Sequence, residues 1–595
     1  MKSVSLLPAL GRDARLTMAM AAMFAVLGLF LAQAFRIQVV QGSRYRAMVE
    51  SGMSKREVLR ASRGRLLDRN GELLAGNAEY SFRAGGANGK RTAREMRRIH
   101  PWQSVGAVVL GNVNRDGVGT SGLEQMFNDS LRGVDGWRDW RKDARGREVD
   151  LVEDGEKLPV PGRDVVLTID RRIQAIAEGA LRDGVEAMGA SRGVAIVLQP
   201  YTGEILAMAS YPGFDPDNPE STTPERLRND AIAMTYEPGS VAKGLTAAVA
   251  LEENLVSEKD TFDVSSGCYR IYGNCIRDSH KMGRISFAEA IAQSSNVAFA
   301  QLSERIGSRK LYKYLTMFGV GMATGVPLRG EERGQLRNVK DWSGVSLPTI
   351  AFGHEFMVTP LQVALAYGAI ANGGKLMEPR LVREIRDGAT GETLSKAEPE
   401  ARRRVISSET AARLRTMMAG VVAKGGTAGN LHDPRFPAAG KTGTAEKYVD
   451  GVKRRDLNVA SFVGMFPVDN PELVVYAMVD EPKVSTVGGR AAGPIFRNIM
   501  ERIRFSPELG GTPFALEDRV AEGIPEGERA KAVPCGRTSC DRRPAVPGDL
   551  VGWPLREAVE VLERRGWTVS WEGAGRVGKV ETEGRKCLLK LQEAA

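Results

Sequence analysis

Cysteine and histidine are scarce in this chain of 595 residues, which holds five of the one and four of the other. His100, His280, His354 and His432 stand far apart and no two cysteines have CxxC spacing, so no metal site is expected. Cys268 and Cys275 lie seven apart in GCYRIYGNC, Cys535 and Cys540 five apart in CGRTSC, and Cys587 is left over. Two local disulfides in an oxidising compartment and two pairs of free thiols both fit that spacing. Aromatics make up only 6% of the chain and no Arg/Lys stripe is interleaved with them, so no nucleic-acid partner is expected. Tandem repeats and low-complexity blocks are also lacking, which argues against a repeat architecture.

What is present is ordinary globular protein. Hydrophobic residues at 42% and charged residues at 26% exclude wholesale disorder, and the length predicts two to four domains. The net charge of +10 comes from 83 basic against 73 acidic residues. That bias reads as a mixed solvated surface, or as attraction to anionic lipid headgroups or an acidic polymer beside a membrane.

Long apolar runs are missing except for one. Leu16 to Ala34, LTMAMAAMFAVLGLFLAQA, is 19 residues without a charge, close to the roughly 20 that span a bilayer core. Lys2, Arg12 and Arg15 precede it against one acid, Asp13, which predicts a cytoplasmic N-terminus and everything from Arg36 onward outside. Ala32-Gln33-Ala34 resembles a signal cleavage site, but the run exceeds a signal peptide's h-region, so an uncleaved anchor is expected.

Gln38 to Arg60 has helix-compatible spacing, and Thr92 to His100 reads as helix. In RGRLLDRNGELLA, Asp68 to Gly71 reads as a tight turn between strands. Asp164 to Asp170 reads as a strand and Arg171 to Met188 as a helix. Gly193–Leu198 and Glu204–Ala209 read as a hairpin, and Asn458–Pro467 and Leu473–Asp480 as strands joined at Asp469-Asn470. From Phe505 to about Pro544 apolar periodicity fades, giving a linker. Beyond it a small domain is expected, with a helix over Leu555–Arg565 and strands at Trp567–Trp571 and Leu588–Leu591.

Three short motifs carry chemistry. Ser240-Val241-Ala242-Lys243 follows a Pro-Gly turn and opens an Ala-rich helix, so Lys243 lies one turn from Ser240 on the same face. A serine needs a base to become a nucleophile, and a lysine serves if burial or a nearby cation lowers its pKa. A helix N-terminus there favours a forming oxyanion. Ser294-Ser295-Asn296 lies in a helical context. Lys441-Thr442-Gly443-Thr444 precedes two strands, where glycine admits another backbone and the lysine and hydroxyls suit a terminal carboxylate. Singly each is weak: a capping serine, a polar helix face or a turn would explain it. In this order, with successive spacings of 54 residues from Ser240 to Ser294 and 147 from Ser294 to Lys441, they match the trio S-x-x-K, S-D-N and K-T-G of penicillin-binding proteins and class A β-lactamases.

The chain resembles class B penicillin-binding proteins, and within them the division-specific transpeptidase. RGRLLDRNGELLA, GNVNRDGVGTSGLEQMFNDSLRG, TGEILAMASYPGFDPDN, VTPLQVALAYGAIANGG, ASFVGMFPVDNPELVVYAMVDEPK and GGRAAGPIF carry the likeness, from about Arg15 to Arg504. The resemblance implies an α+β multidomain protein: cytoplasmic tail 1–15, transmembrane anchor 16–35, β-rich pedestal (dimerisation-type) domain 36–163 and transpeptidase domain 164–504. The last is an antiparallel sheet flanked by helices; a linker, 505–543, follows.

The resemblance further implies a peptidoglycan D,D-transpeptidase with no metal or organic cofactor. Ser240 would attack the carbonyl between the last two D-alanines of a stem peptide, with Lys243 as base. Ser294 would relay a proton to the departing D-alanine, Asn296 orient the substrate amide and Lys441 support the relay. Thr442, Gly443 and Thr444 would bind substrate, the two threonines holding its carboxylate. The N–H groups of Ser240 and Thr444 would form the oxyanion hole. β-Lactams would acylate the same serine, and partners would be a polytopic glycan polymerase and other divisome membrane proteins.

Three departures stand out: Ser295 replaces the Asp of S-D-N, Gln199 stands where Asp is usual, and Ala75 to Gly111 is short. The tail, 544–595, resembles a single PASTA domain, a small α/β module that binds muropeptides or β-lactams or packs on its enzyme. Alternatives are an elongation-specific transpeptidase, a D,D-carboxypeptidase or a non-catalytic β-lactam sensor or division scaffold. No deacylation base is identifiable, and a sensor would need a cytoplasmic output element.

Overall fold

The computed structural model describes residues 12–45, 54–86, 89–142, 148–449, 452–505, 568–572, 576–583 and 586–592. The expected helix over Leu555–Arg565 and the Cys535/Cys540 pair lie outside them. The chain divides into two units, Met1–Leu516 and Glu517–Ala595.

The apolar run lies within the helix Arg12–Phe35, which continues as a wider, π-type turn to Val40. Asp13–Val40 is long and apolar enough to cross a membrane, and nothing among the described residues covers it. Of the stretch Gln38–Arg60, expected to be helical, the part up to residue 45 is helical, 46–53 lies outside the described residues, and the rest is not helix. Ser54–Leu59 is a strand, paired antiparallel with Gly136–Lys142, which in turn pairs with Glu148–Lys157. Thr92–His100 is likewise no helix: Gly89–Ile99 is a strand antiparallel to Leu73–Gly86. Its Arg, Glu and Met content favours helix locally, but a cross-strand partner outweighs propensity differences of well under about 1 kcal/mol per residue.

That hairpin is the edge of a six-stranded sheet, whose order continues through Leu66–Leu67, Asp164–Leu167, Val382–Arg386 and Thr393–Lys396. Leu66–Leu67 runs parallel to Asp164–Leu167, so pairing crosses residue 163 and ties pedestal segments to later ones. Asp68 fixes the intervening turn, its Oδ1 accepting from the N–H groups of Asn70 (2.7 Å) and Glu72 (2.9 Å). Glu124, fully buried, meets Arg63 and Arg98, each at 2.6 Å.

The second large sheet has five antiparallel strands in the order Ala439–Val449, Val452–Phe466, Leu473–Asp480, Arg192–Gln199, Glu204–Tyr211. Gln199 takes a turn-capping role, its Oε1 accepting from the N–H (2.7 Å) and hydroxyl (2.9 Å) of Thr202. Helices Arg171–Ala187, Pro360–Ala371 and Gly493–Phe505 pack on this sheet, and Ala242–Glu252 is buried along nearly its whole length. Ala439–Val449 is an edge strand, and that exposes one row of backbone donors and acceptors.

In the second unit Thr568–Glu572 runs parallel to Lys586–Gln592, and Arg576–Glu583 antiparallel to it. Both strands expected in the tail are present there.

Candidate active site

Ser240 sits in the single turn Gly239–Val241 that leads into the helix Ala242–Glu252. The turn is clamped from three sides. Gly239 donates its N–H to the Gly353 carbonyl at 2.9 Å, and the Tyr367 hydroxyl donates to the Val241 carbonyl at 2.6 Å. Just before it, Glu237 takes His354 Nδ1 at 2.6 Å and the Glu355 N–H at 2.9 Å. Gly239 has φ +53° and Gly353 φ +100°, and a Cβ on Gly353 would come within 1.8 Å of the Gly239 carbonyl oxygen. Only glycine fits there.

Lys243 is fully buried. Its Nζ does not hydrogen-bond Ser240; it donates to the Ser294 carbonyl (2.6 Å), Asn296 Oδ1 (2.7 Å) and Ser294 Oγ (3.1 Å). Ser294 is not on a continuous helix face, contrary to the sequence-based expectation. It lies between helices Phe287–Ala292 and Asn296–Ile306 with φ +57°. A left-handed non-glycine residue costs on the order of 1–3 kcal/mol and persists only where its surroundings impose it. Here it turns the Ser294 hydroxyl toward Lys441 as well, whose Nζ donates to Ser294 Oγ at 2.9 Å.

Ser294 Oγ therefore bridges two buried lysines. Burial lowers the Lys243 pKa well below its ordinary value, the Lys441 charge lowers it further, and Asp278 opposes both. Burial alone brings Lys441 to about 7. Two ammonium groups sharing one hydroxyl repel, so the pair readily gives up a proton. A neutral amine keeps two N–H donors and one lone pair. The Ser294 carbonyl and Asn296 Oδ1 can only accept, so they take the two donors and leave the lone pair for a hydroxyl.

The edge strand Ala439–Val449 carries the third motif. A Cβ on Gly443 would meet Ser461 Oγ at 2.3 Å and Val241 at 2.8 Å, so this strand lies directly against the Ser240 turn. The Thr444 carbonyl oxygen would be 2.5 Å from a Cβ on Gly239, so it faces that turn. In an antiparallel strand a residue's N–H points the same way as its C=O, which aims the Thr444 N–H there too. Thr442 Oγ1 bonds Thr427 Oγ1 at 3.1 Å, and Thr444 Oγ1 donates to the Thr486 carbonyl at 3.1 Å. All eight sequence-derived site residues thus converge between the helix start, the helix break and the sheet edge.

Residues 193–501 match the penicillin-binding protein transpeptidase domain, more than half of the chain, and residues 88–167 match the penicillin-binding protein dimerisation domain. The chain belongs to the class B penicillin-binding proteins. Stage V sporulation protein D of Bacillus subtilis is 37% identical over 448 residues, 74% of this chain and 69% of that protein. The probable peptidoglycan D,D-transpeptidase PenA of Neisseria meningitidis is 32% identical over 409 residues, 68% of each chain. The crystal structure of penicillin-binding protein 3 from Mycobacterium tuberculosis complexed with aztreonam superposes with a TM-score of 0.66 at 31% identity, covering 75% of this chain and 97% of that one. This class B penicillin-binding protein is a peptidoglycan D,D-transpeptidase, with peptidoglycan as substrate class and β-lactams as inhibitor class.

The site also holds residues that the motifs did not reveal. Asp278 binds the start of the Asn296–Ile306 helix, and Glu237 and His354 brace the Ser240 turn. These contacts join positions 17 and 117 apart, so no spacing rule could find them. Cys268 and Cys275, just ahead of Asp278, form a disulfide across the short hairpin Tyr269–Ile276, which settles that pair in favour of the bridge.

Proposed function

We propose that Ser240 is the acylated nucleophile of this transpeptidase, and that it cross-links stem peptides ending in D-alanyl-D-alanine. Ser240 Oγ attacks the penultimate D-alanine carbonyl while neutral Lys243 takes its proton. The N–H groups of Ser240 and Thr444 hold the oxyanion, and the terminal carboxylate lies along Thr442 and Thr444 near the Lys441 charge. The proton passes through Ser294 to the departing D-alanine amine as the C–N bond breaks. Asn296 meanwhile orients the peptide amide. An amine from a neighbouring stem peptide then attacks the Ser240 ester, forming the new amide and releasing the serine. The placement of Ser294 Oγ within 3.1 Å of both lysine Nζ atoms carries this reading, because it gives the proton a path between base and leaving group.

We further infer a single-pass anchor with its N-terminus in the cytoplasm, from Lys2, Arg12 and Arg15 ahead of the apolar run. Work at the division septum beside a polytopic glycan polymerase is supported by the division-type ending GGRAAGPIF. The parallel and antiparallel strands of the tail support a PASTA-like domain.

Incubating the purified full chain with a pentapeptide substrate and a fluorescent penicillin tests the site. Cross-linked dimers and covalent labelling are expected, and Ser240→Ala should lose both. Trimmed monomers alone would indicate a carboxypeptidase, and labelled Ser240→Ala would refute the nucleophile.

A further inference from the structure

We propose that Asp278 is a positioning residue of the acylation site, supplying from outside the second motif the carboxylate that the S-D-N pattern carries at its middle position. The proposal rests on the roles given above to Ser240, Lys243 and Ser294.

Ser295 stands where that pattern has Asp, and it is fully buried. Its hydroxyl donates to Asp278 Oδ2 at 2.8 Å and accepts from the Ala298 N–H at 3.0 Å, so it caps the helix Asn296–Ile306. Asp278 Oδ1 accepts from the N–H groups of Asn296 and of Val297 (3.1 Å). Those first donors have no partner within the helix, and a carboxylate there also meets the positive end of the helix dipole. Ser295 and Asp278 together thus do what one capping aspartate would.

The neighbouring residue completes the arrangement. The Arg277 carbonyl accepts from Asn296 Nδ2 at 2.9 Å. A carbonyl cannot donate, so the Asn296 amide must face it with nitrogen and present Oδ1 to Lys243, 2.7 Å away. Arg277 and Asp278 therefore fix both the main chain and the side chain of Asn296. A helix start pinned at Ser295 also imposes the left-handed backbone of Ser294 that places its hydroxyl between the lysines.

Asp278 acts on Lys243 through charge as well. Among the described residues, the charged groups acting on Lys243 are Lys441 from the edge strand and Asp278 from the loop. The other neighbours are neutral: Ser294, Asn296 and the Phe299 ring, 5.8 Å from Nζ. Among the described residues Asp278 is the charged group that favours the ammonium form, so it limits how far burial and Lys441 push the base toward neutrality.

The test is the pH dependence of covalent labelling by a fluorescent penicillin, using the full chain in detergent micelles. Asp278→Asn keeps an acceptor toward the helix and removes the charge. Lys243 then stays neutral to lower pH, so the ascending limb should move acidward by on the order of one pH unit. Asp278→Ala also frees the helix start and should slow labelling by about tenfold or more at neutral pH. Adding Ser295→Asp to it should restore most of the rate, since aspartate at an N-cap accepts from the same turn of N–H groups. An unmoved limb in Asp278→Asn, or a double variant no faster than Asp278→Ala, would overturn the proposal. If Asp278→Ala shows no cooperative melting, the Asp278→Asn limb decides alone. Ser240→Ala runs in parallel: label on that variant refutes the nucleophile, whatever Asp278 does.

Discussion

Replacing Lys441 by Met should stabilise the transpeptidase domain at pH 7 while abolishing acylation. Lys441 is fully buried and burial lowers its pKa from 10.5 to about 7. A lysine whose folded pKa lies below its unfolded value destabilises the fold fully below the folded value and not at all above the unfolded one. Between the two, the unfolded chain binds the extra proton, so stability rises with pH by about 1.4 kcal/mol per unit. At pH 7 that destabilisation is about 4 kcal/mol, falling to about 2 kcal/mol at pH 9. Methionine removes it but forfeits the bonds from Lys441 Nζ to Ser294 Oγ (2.9 Å) and the Thr442 carbonyl (3.2 Å). Those losses cost about 1–3 kcal/mol together. The charge effect wins at pH 7 and is balanced near pH 9. Lys243 is depressed in the same direction, chiefly by burial and next by Lys441, so its own upward slope with pH remains in the variant. The assay is calorimetric melting of the full chain between pH 6.5 and 9.5, scored on the transpeptidase-domain transition. The variant should melt a few degrees higher than the parent at pH 7, and that advantage should vanish by about pH 9. A variant less stable at pH 7, or an advantage that does not shrink with pH, would refute a neutralised buried lysine.

Gly443→Ala should slow penicillin acylation on the order of a hundredfold, because its Cβ would lie 2.3 Å from Ser461 Oγ and push the edge strand off the Ser240 turn; labelling kinetics would check this, and a parental rate would show that the strand yields. Glu124→Ala should destabilise the pedestal junction by about 3–5 kcal/mol, since it leaves Arg63 and Arg98 buried without their shared carboxylate; a melting curve unchanged from the parent would contradict that. Gly353→Ala should cut the yield of folded, labelled protein sharply, because no side chain fits 1.8 Å from the Gly239 carbonyl. Normal yield and labelling would mean that the Glu237–Ser240 segment is less tightly clamped than its hydrogen bonds indicate.

Features set by short stretches of chain were legible in the sequence. The membrane-length helix follows from 19 uncharged residues in a row, and the hairpin 192–211 from two apolar runs around Pro200 to Gly203. The three motifs named Ser240, Lys243, Ser294, Asn296 and Lys441 to Thr444 as candidates, because the proposed chemistry calls for those residue types in that order. What failed were segments whose state depends on a distant partner. Gly89–Ile99 reads as helix until Leu73–Gly86 lies beside it. Ser294 reads as lying in a helical context until Asp278 is seen to start a new helix at Asn296, two residues later.

The sequence by itself determined the membrane-length apolar helix, the family and the eight candidate site residues, since hydrophobic length and motif order are local. Only the tertiary structure decided what those residues can do. Lys243 and Lys441 are ordinary ammonium groups in an open chain. They approach neutrality because three segments, up to 198 positions apart, close over them. Ser294 Oγ reaches both lysines because its backbone is held in a conformation the free chain rarely visits. Burial and strain belong to the packed molecule, and the nucleophile proposed at Ser240 depends on both.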